Sequence, residues 1–400
     1  LAELRRQGKH PLAGCTILQI IPELNSGGAE QATIDIAAAL AAVGARALVA
    51  SAGGRMVSEL QAKGGIWRPF PAQTKNPLAM LANQRRLAKL IRAEAVALVH
   101  ARSRAPAWVA YGATRQTGTP FVTTFHGAYS GTSGLKLRYN SIMAKGDAII
   151  ANSSFTATHI ARLYPAAAAK IKVIERGIDF RLFSPNEVDS ARVQTLRQAW
   201  QVGPCERLIL LAARLTPWKG HKILIEAAQH LVADGVSDIK FVLAGDEQGH
   251  SAYLKDLDAM IANAGLAGIV RRTGHCADMP AALRAAAVVV VASIEPEAFG
   301  RVAAEAQAMG APVVVTDLGA SPQVVLAPPE VAGEARTGWR VPPGDAQALA
   351  GAIKEALGLG ATAHDALSTR ARAHVLQHFS VERMQAETLA AYAALLAPWA

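Results

Sequence analysis

Val288-Val-Val-Val-Ala-Ser-Ile-Glu-Pro-Glu-Ala-Phe-Gly-Arg-Val-Ala-Ala-Glu305 reads as a buried strand, a turn and the opening of a helix. The apolar β-branched run suits a strand covered on both faces. Pro296 disfavours helix just before it, so the helix is expected to start near Gly300. Free backbone N–H groups at such a start form an anion site, and a glycine there lets a diphosphate approach the chain. Glu297 then sits outside the helix mouth. Glu305 lies roughly 7–8 Å further along the axis, at about 1.5 Å per residue. The spacing allows one carboxylate to reach a sugar and the other a ribose, with phosphates between. A pair of solvated helix glutamates is the competing reading.

The same alternation of short apolar run and helix-like stretch extends outward in both directions. Strands are expected at 16–21, 47–51, 97–100, 121–125, 148–151 and 172–175, and at 208–212, 240–244, 269–273, 288–292 and 312–316. Most are followed by Gly, Ser or Asn and then a helical pattern, the signature of βαβ units and parallel sheets. A chain of 400 residues, 51% hydrophobic and 5% aromatic, suits two such domains with Ala-rich helices over buried strands. The turn-rich stretch 177–185 reads as an interdomain linker. The expected division is therefore 1–180, 181–379 and a terminal helix over 380–400, with Ser380 as N-cap and Pro398 just past its end.

Composition narrows the class further. Cys15, Cys205 and Cys276 are widely spaced and read as reduced thiols, neither a disulfide framework nor a metal site. The basic start (Arg5, Arg6, Lys9) precedes an apolar run, 16–22, too short for a signal core. The longest apolar stretch, 285–292, falls well short of the roughly 20 residues that span a bilayer. A soluble or at most peripheral protein is expected.

Charge is uneven. Residues 1–180 hold 22 Lys plus Arg against 9 Asp plus Glu, whereas 181–400 hold 19 against 22. The first half is suited to an anionic partner. With no recognisable nucleic-acid module or aromatic-basic interleaving, nucleic acid is not expected; anionic lipid head groups or a phosphorylated glycolipid fit better. A solvated basic surface is the alternative.

Three further constellations stand at predicted strand ends, where doubly wound sheets bind ligands. Arg214-Leu-Thr-Pro-Trp-Lys219-Gly220 offers two cations able to neutralise a departing pyrophosphate. Gly27-Gly28-Ala29-Glu30 opens a helix, and Gly28 can bring backbone N–H groups to a phosphate or sugar; no G-x-G-x-x-G fingerprint occurs. Thr124-Phe-His126-Gly127 sets a histidine at a strand end. Other patterns carry nothing. Asp256-Leu-Asp258 falls within a helical stretch, where neighbours two apart do not share a face. Gly358-Leu-Gly360 reads as a helix end, and Ser153-Ser154 as a capped turn.

Together these motifs resemble glycosyltransferase family 4. The matching marks are Gly27–Glu30, Phe125-His-Gly127, Arg214-Leu-x-x-x-Lys-Gly220, Leu243-Ala-Gly-Asp246 and Gly274-His275. They continue with Glu297 and Glu305 in E-x₇-E, and with Gly338-Trp-x-Val-Pro-Pro-Gly344, in family order over nearly the whole chain. The resemblance implies a GT-B fold: two Rossmann-like α/β domains whose parallel sheets face across a cleft, with the C-terminal helix crossing back to the first domain. It implies a retaining transfer from a nucleotide diphosphate sugar, by front-face displacement in that cleft, with no cofactor and no metal. His126, Arg214, Lys219 and Glu297 would be the catalytic set. Gly28, Gly274, His275, Phe299, Gly300, Arg301 and Glu305 would hold the nucleotide sugar. One departure is Glu175-Arg176-Gly177-Ile-Asp179, where many relatives carry Pro-Asn-Gly-x-Asp.

More narrowly, His100-Ala-Arg-Ser-Arg-Ala-Pro-Ala-Trp108 and Thr124-Phe-His-Gly-Ala-Tyr129 look like lipopolysaccharide-core mannosyltransferases. That likeness implies GDP-mannose as donor, a lipopolysaccharide-core or other anionic glycolipid acceptor, and Arg102 and Arg104 as acceptor contacts. It also implies a peripheral place on the inner face of the cytoplasmic membrane, with the run 76–92 (Arg85, Arg86, Lys89, Arg92) on the surface. A plain amphipathic helix explains that run as well. Alternatives are a UDP-sugar-dependent transferase, an epimerase or phosphorylase on the same scaffold, and a non-catalytic glycolipid-binding protein.

Overall fold

A computed structural model describes residues 10–25, 27–127, 129, 133–246, 249 and 251–397, so Arg5, Arg6, Lys9 and Pro398 lie outside the described residues. The chain divides into two units, Leu1–Gly177 with Val381–Ala400, and Ile178–Ser380.

The first unit carries a parallel sheet of β1 (Thr16–Ile20), β2 (Arg46–Ser51), β3 (Ile66–Pro69), β4 (Val96–Ala101), β5 (Phe121–Phe125), β6 (Ala148–Ala151) and β7 (Ile171–Val173). Their order is β3-β2-β1-β4-β5-β6-β7. The chain builds outward from β1, returns to lay β4 beside it, then builds the other edge. Connections therefore leave β1 and β4 in opposite directions, which opens a crevice at their carboxyl ends.

The second unit repeats the plan with β8 (Arg207–Ala212), β9 (Ile239–Ala244), β10 (Val270–Gly274), β11 (Ala286–Val291), β12 (Val313–Thr316) and β13 (Trp339–Val341). The order β10-β9-β8-β11-β12-β13 puts its crevice between β8 and β11. Both units are thus Rossmann-like α/β layers.

Strands that read as unbroken apolar runs sort residue by residue onto two faces. In the first unit Ile17, Val49, Leu98, Val122 and Ile150 enter one core layer. Leu18, Leu48, Val99, Phe121 and Ile149 enter the other, as the two-residue repeat of a pleated strand requires. The terminal helix Val381–Leu396 belongs to the first unit and fills the former layer with Met384, Leu389, Tyr392 and Leu396. Among the described residues no helix is long and apolar enough to cross a membrane.

Two expectations need correction. The stretch 177–185 holds the boundary, between Gly177 and Ile178, but beyond it the chain already packs into the second unit, where Ile178 and Phe183 are buried. Two strands went unread, β3 and β13. Both are short edge strands, Ile-Trp-Arg-Pro and Trp-Arg-Val, whose polar residues break the apolar run that marks central strands. The rejected patterns behave as expected. Ser153 accepts from the Thr156 N–H and caps the helix Ser154–Leu163, Gly358 ends Ala346–Leu357, and Asp256 and Asp258 pair separately with Lys222 and Arg272.

Inside the first unit the terminal helix is tied to the sheet by a polar contact. His100 of β4 meets the Tyr392 hydroxyl at Nδ1 (2.5 Å) and Thr124 Oγ1 at Nε2 (2.7 Å). All three residues are buried. Removing one partner of a buried bond costs about 1–3 kcal/mol. Tyr392→Phe should therefore lower stability in urea unfolding by that amount, with helix content unchanged in far-UV circular dichroism.

Candidate functional site

In the second unit the site is built by two loops, one after β8 and one after β11. The first loop turns through Pro217–Lys219 and enters the helix His221–Ala233 at Gly220, whose φ is 75°. A Cβ at Gly220 would stand 1.7 Å from the carbonyl oxygen of Ala292. Only glycine allows this backbone approach, which sets the Lys219 loop directly against the end of β11. The Ile294 N–H donates to the Trp218 carbonyl across the same junction (2.8 Å).

The result is a close pair of opposite charges. Lys219 Nζ bonds Glu297 Oε1, and Ser293 Oγ donates to the same carboxylate at 2.5 Å. The side chains are only 16% and 13% exposed. Lys219 Nζ also lies 4.1 Å from the Trp218 ring centroid, with the Arg214 guanidinium 5.9 Å from that ring. The indole thus stands beside both cations of the motif. Glu297 itself is anchored by its backbone: its carbonyl accepts from the Ala320 N–H (2.8 Å), and a Cβ on Gly319 would collide with it at 2.3 Å.

Lys219, Glu297, Gly300 and Arg301 line one cavity of 110 Å³ beside the carboxyl ends of β8 and β11. The helix Arg301–Ala308 begins after Gly300, which has φ 87° and no side chain to cap the first turn. Space beyond the Gly300 Cα is open for 4 Å in the Cβ direction. Glu305 is buried and bonded to Arg301 Nε at 2.5 Å, so the competing reading, a pair of solvated glutamates, is not what forms. Phe299 packs its ring on Phe379 (centroids 5.3 Å apart), leaving its backbone to lead into Gly300. Gly274 ends β10 with φ 71°, and His275 beside it lies 3.6 Å from Asp246.

In the first unit Gly28, Arg102 and His126 stand just beyond β1, β4 and β5. Gly28 opens the helix Gly28–Ala42. The Arg176 guanidinium lies over it, since a Cβ there would come within 2.5 Å of Nη1. Both His126 ring nitrogens are buried with no hydrogen-bond partner among the described residues. Burial, then the charges of Arg176 and Arg102, hold this imidazole well below its usual range. It is neutral at pH 7.

Arg102 is not a surface contact. It is buried and donates to Gln19 Oε1 through Nε (3.0 Å) and Nη2. Arg104 is half-buried, held by Asn140 Oδ1 (2.9 Å) and lying 4.5 Å from the Tyr129 ring centroid and 5.8 Å from that of Tyr139. Sequence reasoning gave no role to Trp218, Ser293, Gly319 or Arg176. Trp218 could have been found, because it sits between the two cations of its own motif.

Comparison with known proteins follows this geometry. A family model described as glycosyl transferases group 1 matches residues 193–374, and one described as Glycosyltransferase Family 4 matches 26–182. The crystal structure of a glycosyltransferase from Rickettsia africae ESF-5 superposes with a TM-score of 0.85 at 34% identity, covering 96% of this chain and 99% of that one. The chain belongs to the glycosyltransferases of group 1 and family 4. Its fold is that of the GT-B members. This glycosyltransferase also superposes on Anabaena Alr3699/HepE in complex with UDP and glucose, with TM-score 0.82 and 28% identity, over 94% of this chain and 99% of that one. A D-inositol 3-phosphate glycosyltransferase of Xylanimonas cellulosilytica is 33% identical over 188 residues, 46% of this chain and 44% of the relative. The chain spans about half the length of the curated relatives it matches, 44%, 58% and 40% of the first three.

Two predictions follow from the geometry. Removing one member of a buried ion pair strands the other charge. Lys219→Ala should cost about 3 kcal/mol in urea unfolding, while Lys219→Met with Glu297→Gln should recover most of that loss. The second concerns acid. Burial pushes His221 down to about 4 and His100 and His126 well below their usual value. The unfolded chain binds these protons near pH 6.5, so stability is fully present above that pH and is lost as pH falls towards 4. The thermal midpoint should therefore drop between pH 6.5 and 4, and His221→Asn should make that slope shallower.

Proposed function

We propose that this chain transfers a hexose from a nucleotide diphosphate sugar to a hydroxyl of an anionic glycolipid, with retention at the anomeric carbon and without a metal. The observation that carries the reading is the pairing of Lys219 with Glu297 beside the glycine-opened helix start at Gly300, in one cavity at the β8/β11 crevice. A cation, a carboxylate and a helix N-terminus together suit a diphosphate bonded to a polyhydroxylated ring.

In this reading the bond from the anomeric carbon to the phosphate oxygen breaks as the acceptor oxygen bonds to the same face. The acceptor proton passes to the departing phosphate. Lys219 and Arg214 stabilise the charge that develops there, and Glu297 accepts from sugar hydroxyls. Glu305, freed from Arg301, takes the ribose hydroxyls, and Gly274 and His275 border the base. His126, neutral and unpartnered among the described residues, is suited to hydrogen-bond the sugar, and Gly28 to bring its N–H to a phosphate. Arg104 supplies the acceptor-side cation, with Arg102 behind it.

For the donor we propose GDP-mannose, and for the acceptor a lipopolysaccharide core. A second donor, UDP-glucose, is favoured by the superposition on Alr3699/HepE, whose structures contain UDP-glucose or UDP. A place on the inner face of the cytoplasmic membrane is supported by the helix Pro77–Ala93. Its outer face shows Leu78 (79% exposed) and Leu81 (49%) followed by exposed Arg85, Arg86, Lys89 and Arg92, an apolar-and-basic stripe suited to anionic head groups.

The test is nucleotide diphosphate release from GDP-, UDP- and ADP-sugars in EDTA, with and without lipopolysaccharide-core acceptor. One donor should give release, increased by acceptor. Lys219→Ala should lower kcat by roughly 10²–10³, the scale of losing one donor to transition-state charge. Unchanged turnover in that variant would remove Lys219 from the mechanism.

A further inference from the structure

One cavity of the first unit does not lie at the β1/β4 crevice. It has a volume of 450 Å³, within the roughly 300–1,000 Å³ typical of small-molecule pockets. Phe121 on its wall is the first residue of β5, Asp147 immediately precedes β6, and Lys170 immediately precedes β7. The cavity therefore lies at the amino ends of these strands, the opposite end of the sheet from Gly28 and His126.

Its lining has a definite chemistry. Buried Thr114, Phe121 and Ala167 form the floor. Arg115, Lys145 and Lys170 stand around it as three cations. Among the described residues none of the three has an ion-pair partner. The one carboxylate present, Asp147, already accepts from the Phe121 N–H at 2.8 Å. The local balance is therefore two positive charges around a concave site, with every charged group exposed, which favours an anion as its occupant.

Two tyrosines complete the walls. Tyr164 is fixed by donating its hydroxyl to the Leu137 carbonyl (3.1 Å). Tyr111 lies 5.7 Å from the Arg115 guanidinium, which is thereby held over its ring. An aromatic face offers apolar area beside a polar rim, which suits the C–H face of a sugar ring. Thr119 and Ser141 are also on the wall; their hydroxyls are bonded to Thr117 Oγ1 and to the Arg138 carbonyl (2.8 Å each), and their oxygen lone pairs can accept from a polyol.

We propose that this cavity is a second ligand site, separate from the β8/β11 crevice, and that it takes a phosphorylated monosaccharide. The phosphate sits among Arg115, Lys145 and Lys170, and the sugar ring lies against Tyr111 and Tyr164. The assignment does not depend on the transferase reading, since none of these residues belongs to the proposed reaction.

Calorimetric titration of the full chain with glucose 6-phosphate and fructose 6-phosphate tests it, with glucose and inorganic phosphate as controls. At least one sugar phosphate should bind to wild type and to Glu297→Gln alike, and bind more tightly than either control. Replacing Lys145 and Lys170 together by Ala, both on the surface, should weaken binding about tenfold or more, the scale of losing charge-assisted contacts. Absence of binding by both sugar phosphates overturns the proposal. So does binding that is indifferent to the lysine replacements, or that disappears in Glu297→Gln. Inorganic phosphate binding as tightly as the sugar phosphates overturns the place given to the ring.

Discussion

The contact between the Gly220 backbone and the Ala292 carbonyl is the constraint on which the second unit's site depends. It brings the loop after β8 onto the end of β11 with no side chain between them. Lys219 and Glu297, 78 positions apart, can then share a bond while both are largely shielded from water. Any residue with a Cβ at 220 would push the loop outward and separate the charges. Gly319 does the same for Glu297 from the other side, so the carboxylate is fixed by backbone packing before any ligand arrives.

The first unit organises its charges differently. Its polar core is a set of neutral histidines under the influence of arginines. His100 is locked between Tyr392 and Thr124, while His126 keeps two buried nitrogens with no partner among the described residues. Arg102 holds this arrangement from below through Gln19, and Arg176 lies over Gly28. An imidazole kept neutral by burial, and secondarily by nearby cations, can donate and accept but adds no positive charge.

The two units also differ in how their helices are used. In the second, a helix start beside β11 meets the cavity. In the first, the C-terminal helix returns to cover the layer formed by β1, β2 and β4, and Tyr392 buries its ring and its hydroxyl there together. The basic excess of the first half then falls on outer faces, such as that of Pro77–Ala93, and around the cavity at the amino ends of β5 to β7.

Much of this was legible in one sequence. Eleven of the thirteen strands were marked by short apolar runs, because a strand buried on both faces has few polar positions to interrupt it. The helix start at Gly300 was marked by Pro296 and by the glycine itself, and E-x₇-E with the upstream Arg and Lys pointed to the family. The edge strands at Ile66 and Trp339 carried no such mark, since they are short and Arg68 and Arg340 interrupt their apolar runs. What only the tertiary structure decided was which charges meet. The resemblance gave Lys219 a diphosphate and Arg102 an acceptor, and it named no partner for either within the chain. The fold pairs Lys219 with Glu297 and buries Arg102 against Gln19. Local pattern fixes where a strand ends, because backbone geometry and burial act over a few residues. Partners 78 or 83 positions apart are chosen by the packing of loops that no local pattern encodes.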